Sequence, residues 1–169
     1  GGKVTGVSTP GQELGAKRVT LLKEIVPGAK RLGILWTPAG RTDDEAVAEI
    51  AAAARRLGME TRAAEVRYAG ALDGAFAAFD AFRADSMALV PGALFTGLAR
   101  RIAEHAIARR LPAVFAHVDD ARAGGLISYR PDVSAAMRRA AGFVERILRG
   151  ARPAELPVEH SSKYEMVIN

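Results

Sequence analysis

Short, continuously apolar runs recur along this chain, each separated from the next by a segment whose apolar residues fall at helical spacing. Arg31-Leu-Gly-Ile-Leu-Trp36 is such a run, of the kind that is buried on both faces of a parallel sheet. Ser86 to Val90 and Ala113 to Ala116 repeat it, and Glu60 to Val66 supplies a further strand. The segments between them predict helices. Asp43 or Asp44 can cap one that runs through alanine-rich sequence to Leu57 and stops at Gly58, and others are expected over Leu72 to Phe82 and Phe95 to Arg110. Such regular alternation, over connections of about two to six residues, argues an α/β chain with a three-layer, mostly parallel, doubly wound sheet and right-handed crossovers.

The flanks of this unit read differently. A helix is expected from about Gln12 to Ile25, with Leu14, Leu21, Leu22 and Ile25 at helical spacing and Pro27-Gly28 as its stop. After Gly124-Gly125 a fifth strand, Leu126 to Tyr129, precedes a long helix from Val133 to Leu148. Arg149 to Val158 holds Gly150, Pro153 and Pro157 and reads as a linker, ending in a last apolar strand, Tyr164 to Asn169. That strand and the opening Val4 to Val7 both have an orphan character. Two readings are open: both ends belong to a partner lobe, or both add edge strands to the main sheet. On the first, residues 1–11 are a hinge strand, 12–130 an α/β domain, and 131–169 a crossing helix, linker and terminal strand that return toward the other lobe.

With 169 residues, 49% hydrophobic and 25% charged, the chain can bury a core of its own. No apolar run approaches the roughly 20 residues that a membrane-spanning helix needs. The opening Gly1 to Gly6 lacks the succession of a secretory signal, so an exported parent is expected to carry one upstream. The absence of cysteine excludes disulfides, thiolate metal sites and cysteine nucleophiles. A net charge of +5 invites a nucleic-acid reading, but the arginines are dispersed as pairs (55-56, 100-101, 109-110 and 138-139) within helical patterns, with only 6% aromatics. Solvated helix faces account for them, and no nucleic-acid partner is expected.

In open parallel sheets, ligands bind beyond the carboxyl ends of the strands, where loops and helix N-termini converge. The candidate positions are therefore Trp36, Thr37 and Pro38 after the first strand; Arg67 and Tyr68 after the second; Gly92, Ala93 and Phe95 after the third; His117 and Asp119 after the fourth; and Tyr129 and Arg130 after the fifth. Trp36, Phe95 and Tyr129 can wall a pocket for an apolar or aromatic ligand, and Thr37 and His117 can hold a carboxylate. Each has a structural alternative: Trp36 closing the core, His117 as an exposed loop residue, Tyr129 making a structural hydrogen bond.

Catalytic patterns are missing. The phosphate loops GxGxxG and GxxxxGK[ST], HExxH and GxSxG do not occur. The histidines at 105, 117 and 160 are too scattered for a metal cluster. Asp119-Asp120 are neighbours whose side chains point in different directions, an arrangement that more often caps a helix. No catalytic residue, metal or cofactor is assigned.

Several segments, in order over essentially the whole chain, resemble one family. They are Gly1-Gly-Lys-Val-Thr-Gly-Val-Ser8, Leu22-Lys-Glu-Ile-Val-Pro-Gly28, Arg31-Leu-Gly-Ile-Leu-Trp-Thr-Pro38, Ala123-Gly-Gly-Leu-Ile-Ser-Tyr129, Ile147-Leu-Arg-Gly-Ala-Arg-Pro-Ala-Glu-Leu-Pro-Val158 and Lys163-Tyr-Glu-Met-Val-Ile-Asn169. The sequence is similar to ABC-transporter substrate-binding proteins of the type that includes tryptophan- and phenylalanine-binding members. The resemblance implies a type I periplasmic binding fold of two α/β lobes with ligand trapped between them, this chain matching the portion from the first hinge strand to the end. It further implies a small-molecule ligand, an aromatic or other hydrophobic amino acid being the expectation, a membrane permease as partner, and a periplasmic or extracytoplasmic parent. Two departures stand out. Thr37-Pro38 replaces the asparagine-proline of many relatives, and Pro91-Gly92-Ala93 lacks the Asp or Ser that often follows that proline.

Two other readings of the scaffold are a cytoplasmic ligand-sensing regulatory domain and a flavodoxin-like enzyme fragment. An upstream helix-turn-helix would mark the first and a bound nucleotide or flavin the second. Exposed strand edges at the two ends also raise the expectation of a homodimer formed through the terminal elements.

Overall fold

The computed structural model describes residues 2–9, 14–38 and 41–169. The expected helix start at Gln12 and the loop residues Ala39 and Gly40 lie outside the described residues. Two compact units emerge, one of residues 1–11 with 131–165 and the other of residues 12–130 with 166–169.

In the larger unit, α1 (Leu14–Ile25) leads into β2 (Arg31–Trp36), α2 (Arg41–Arg56), β3 (Glu60–Glu65), α3 (Leu72–Phe82) and β4 (Ser86–Leu89). There follow α4 (Ala93–Thr96), α5 (Ala99–Ala108), β5 (Ala113–Phe115), α6 (Val118–Arg122) and β6 (Ile127–Pro131), and the chain ends in β8 (Tyr164–Ile168). The strands form one six-stranded sheet in the order β3-β2-β4-β5-β6-β8. The pairs from β3 to β6 are parallel.

Alternation along the buried strands explains why their sequences are apolar throughout. Leu32 and Ile34 of β2, Ala88 of β4, Val114 of β5 and Ile127 of β6 face a core with Val19 and Leu22 of α1 and Ile50 and Ala54 of α2. Leu35, Met87, Leu89, Ala113 and Phe115 face the opposite way, onto Phe76 and Phe79 of α3 and Ile102 and Ala106 of α5. A two-sided sheet has no polar face, so every second residue cannot be hydrophilic. Gly33 marks a close approach: a Cβ there would lie 2.9 Å from the Phe79 ring, so α3 settles directly on the backbone of β2.

A polar clasp sets the amino ends of β2 and β4. The Asp85 carboxylate accepts the backbone N–H groups of Lys30 and Arg31, each at 2.9 Å, and the Ser86 hydroxyl at 3.2 Å. Asp85 N–H in turn donates to Arg31 O at 2.9 Å.

Several expectations need correction. The single helix expected over Phe95 to Arg110 is broken, because Leu98 leaves helical geometry and Phe95 and Leu98 both turn into the core. Helix α2 starts at Arg41, which puts Asp43 and Asp44 in its first turn rather than at its cap, where they suit the helix dipole. The segment between β5 and β6 folds into the short helix α6. The last strand, β8, pairs with β6 at the edge of the main sheet, with Asn169 N–H donating to Leu126 O at 2.9 Å. The open edge of β6 satisfies its backbone groups.

In the smaller unit, β1 (Val7–Ser8) pairs in parallel with β7 (Glu159–His160), so the opening strand joins this unit and not the main sheet. Helix α7 (Val133–Leu148) is capped by Asp132, whose carboxylate accepts Ala135 N–H at 2.7 Å. Its Ala136 and Phe143 are buried, and Arg139 forks onto Glu159 at 2.5 and 2.7 Å. Val133, Met137, Val144 and Leu148 form an exposed stripe on α7, Leu148 being 82% exposed. The expected linker contains a short 3-10 turn, Pro153–Glu155, and Thr5 Oγ1 ties the opening segment to Leu156 O and Pro157 O.

Replacing Asp85 with alanine leaves two backbone donors without their acceptor and is expected to cost about 1–3 kcal/mol, read from the midpoint of urea unfolding; Phe79→Ala, which opens a cavity against Gly33, is expected to cost about 3–5 kcal/mol.

Candidate functional site

Strands β2 and β4 are neighbours in the sheet although β3 lies between them in sequence. The chain leaves β2 toward one side of the sheet through α2 and leaves β4 toward the other through α4 and α5, since Ile50 and Ala54 pack on one core and Phe95, Ile102 and Ala106 on the opposite one. The connections diverge at the carboxyl ends of β2 and β4, the topological switch point at which open α/β sheets place their ligand crevice. Of the candidates, Trp36, Thr37 and Pro38 follow β2 at this point, and Gly92 and Ala93 follow β4.

The register carries the site sideways. Leu35 pairs with Leu89, Ala88 with Val114, and Phe115 with Ser128, which sets Trp36, Val90, Ala116 and Tyr129 in one row across the carboxyl edge. His117 lies one step beyond, exposed, as the N-cap of α6. Trp36 is half-buried and its ring packs against the α1/α2 core, so it serves that core and the edge together. Thr37 is buried, Pro38 and Gly92 partly so, and Ala93 is exposed. Arg67 and Tyr68 lie at the end of β3; Arg67 pairs with Glu65, and Tyr68 is 66% exposed.

Phe95 is not a pocket wall. It is 2% exposed and sits in the core with Leu35, Leu89, Leu98 and Phe115, because the four-residue α4 turns its ring inward. Tyr129 has its structural role in its backbone: its carbonyl accepts Arg18 Nε at 2.8 Å.

Arg18 is a site feature that sequence reasoning missed. It lies on α1 at the i, i+4, i+8 spacing shared with Leu14 and Leu22 and is buried with them. That spacing was the available signal, since a charge on the apolar stripe is out of pattern. Burial pushes the guanidinium down to about 10, against the pull of Glu49, so it remains a cation at neutral pH.

Asp119 and Asp120 point apart. Asp119 is exposed and pairs with Arg122 at 3.3 Å, whereas Asp120 is 3% exposed. The Asp120 carboxylate reaches back to the His117 backbone N–H, as in a capping box. Its Oδ2, like the buried Ser128 hydroxyl, has no hydrogen-bond partner among the described residues. Burial pushes the Asp120 carboxyl above the ordinary carboxylate range, with the neighbouring His117 opposing that shift.

His105 is structural. Its ring stacks on Phe76 at 4.6 Å and its Nε2 lies 3.1 Å from Asp73 Oδ1. Among the described residues, no group of three or more His, Asp or Glu is placed to hold a metal, and no helix is long and apolar enough to cross a membrane. Each unit also carries a surface groove. One of about 540 Å³ in the smaller unit is lined by Arg138, Arg139, Glu159 and Lys163, among others. The other, of about 470 Å³, opens at the amino ends of β5 and β6.

Comparison with known proteins gives the site its context. The sequence model of the family described as ABC transporter substrate binding protein matches residues 1–169. The chain belongs to this family of ABC transporter substrate-binding proteins. No curated protein sequence matches. Among solved structures, the chain is similar to an ABC domain from Streptococcus pneumoniae in complex with L-Trp, at 22% identity and a TM-score of 0.80, over 100% of this chain and 58% of that one. A conserved domain protein from Vibrio cholerae is 22% identical with a TM-score of 0.81, covering 98% and 55%. A solute-binding protein from Burkholderia graminis in complex with D-arabinose is 13% identical with a TM-score of 0.69, covering 98% and 62%. The chain thus spans little more than half the length of these structures, and what they share with it is the α/β lobe.

The raised Asp120 sets a pH dependence. The folded state holds that proton more tightly than the unfolded chain, so the stability contributed by the protonated group is lost as pH rises through the carboxylate range toward the folded value. Asp120→Asn removes the charge while keeping an acceptor for His117 N–H. Thermal melts are expected to show a higher Tm than wild type at pH 7 and a much smaller difference at pH 4.

Proposed function

We propose that this chain is the second lobe, with its connections to the first, of a solute-binding component of an ABC importer. On this reading it holds one wall of a small-molecule site and carries out no catalytic step. The observation that carries the reading is the family match over the whole chain, joined to a switch-point crevice where α/β sheets bind ligands.

The row of Trp36, Thr37, Pro38, Gly92, Ala93, His117 and Tyr129 is the proposed solute-facing wall. It offers an aromatic ring, a phenol, a hydroxyl and an imidazole, groups suited to an apolar or aromatic solute with a polar end. The L-Trp complex of a structure with the same lobe supports an aromatic or hydrophobic amino acid as the solute class. The D-arabinose complex shows that this lobe shape also serves sugars in other proteins, so the choice rests on the side chains of the row. In the complete protein the partner is a membrane permease and the setting extracytoplasmic. The smaller unit, with its strands of two residues each, is the proposed crossing region, and the exposed α7 stripe supports association with a further surface, a second copy included.

Trp36 is the only tryptophan in the chain and stands in the proposed wall, so its fluorescence reports occupancy directly. Half a cleft makes half the contacts. L-phenylalanine is therefore expected to shift Trp36 emission with a dissociation constant in the millimolar range, and D-arabinose to leave it unchanged; a response to the sugar alone would overturn the amino-acid reading. Light scattering at high protein concentration is expected to show dimers, and a strictly monomeric chain would count against the homodimer.

A further inference from the structure

Gly92 is not required by its backbone. Its φ of −162° and ψ of 146° are extended values open to any residue. Space is what demands glycine there. A Cβ at position 92 would lie 2.5 Å from Thr37 Cγ2, with the Thr37 Cβ at 3.9 Å and the Phe95 ring at 3.7 Å. Approaches under 3.0 Å are essentially never made by real Cβ atoms.

The collision cannot be relieved cheaply. Thr37 is only 8% exposed, and a β-branched side chain has few χ1 alternatives. The backbones on either side are pinned as well. Val90 N–H donates to Leu35 O at 2.9 Å, which prolongs the β2–β4 pairing to the edge, and Phe95 N–H donates to Gly92 O at 3.0 Å, with the Phe95 ring anchored in the core. Residues 37 and 92 lie in the turns that follow the two strands flanking the switch point.

We infer that Thr37 and Gly92 act as one steric unit that keeps the turn after β4 bare of side chains, so that a solute in the crevice meets Thr37 and uncharged backbone there rather than a side chain at 92. This rests on the reading of the crevice as the solute site. Its consequence for selectivity is specific. With alanine at 93 and no side chain admitted at 92, this part of the wall carries no carboxylate or amide, and it suits an uncharged, flat or hydrocarbon face of the solute rather than an ammonium group or the hydroxyls of a sugar.

A double-mutant cycle on the 169-residue chain separates the two parts of the inference. Gly92→Ala alone is expected to lower Tm by roughly 3–10 °C through overpacking. In the Thr37→Ser background, where the obstructing methyl is gone and the hydroxyl kept, the same substitution is expected to lower Tm by less than about a third of that. Equal shifts in the two backgrounds would overturn the steric unit. Trp36 fluorescence titrated with L-phenylalanine then reads the solute side. The Thr37→Ser, Gly92→Ala double variant is expected to bind at least about fivefold more weakly than Thr37→Ser at similar Tm, and equal affinity would reduce the pair to a packing device. If the wild-type chain responds to neither L-phenylalanine nor D-arabinose, the solute site itself falls, and with it the role in selectivity, while the melting cycle still decides the steric coupling on its own.

Discussion

A parallel sheet covered on both faces leaves the residues of its inner strands free to meet solvent only at the strand ends. In this chain β2, β4 and β5 send alternate side chains into two separate cores, and each strand is consumed by packing along its whole length. Backbone polar groups are satisfied between neighbouring strands. Chemistry can be displayed only where the strands stop, and the rest of the molecule follows from that limit: helices that cover, loops that turn back, and one edge on which polar and aromatic side chains collect.

The order β3-β2-β4 then decides which part of the edge is concave. Because the connections leave the carboxyl ends of β2 and β4 toward opposite sides of the sheet, the chain diverges between those ends. Thr37 and Gly92 face each other there at a distance that admits no further carbon atom. The crevice owes its outline to that packing as much as to its topology. Tyr129, two strands away, is held by its carbonyl to Arg18 of α1, so the far end of the row is positioned by a buried cation on a helix that precedes the sheet.

Polar groups inside the larger unit fall into two kinds. Asp85 is well satisfied, accepting backbone donors that start β2 and thereby setting it against β4. Asp120, on the helix that His117 caps, is incompletely satisfied, with one oxygen that has no partner among the described residues. The first is a registration device and repays its burial in hydrogen bonds. The second makes the wall at His117 sensitive to charge, because burial disfavours ionising a carboxyl that the single His117 N–H satisfies only in part.

The periodicity of the sequence determined the α/β class, the identity of the principal strands and the edge to which the candidate residues belong, because two-sided burial forces long apolar runs whatever the details of packing. The family, too, was legible in ordered segments spread along the chain. Tertiary structure alone decided the rest. Phe95 passed from pocket wall to core because a break at Leu98 separates a four-residue helix from the next, and local spacing does not encode where a short helix turns. The pairing of the terminal strand with β6 was decided in three dimensions because an open sheet edge is a property of the assembled sheet, invisible in either segment. Arg18 and Asp120 became buried only when distant elements closed over them. The missing side chain at Gly92 looked in sequence like a lost ligand contact; in three dimensions it is the space taken by the Thr37 methyl, a contact across 55 residues that no local pattern could register.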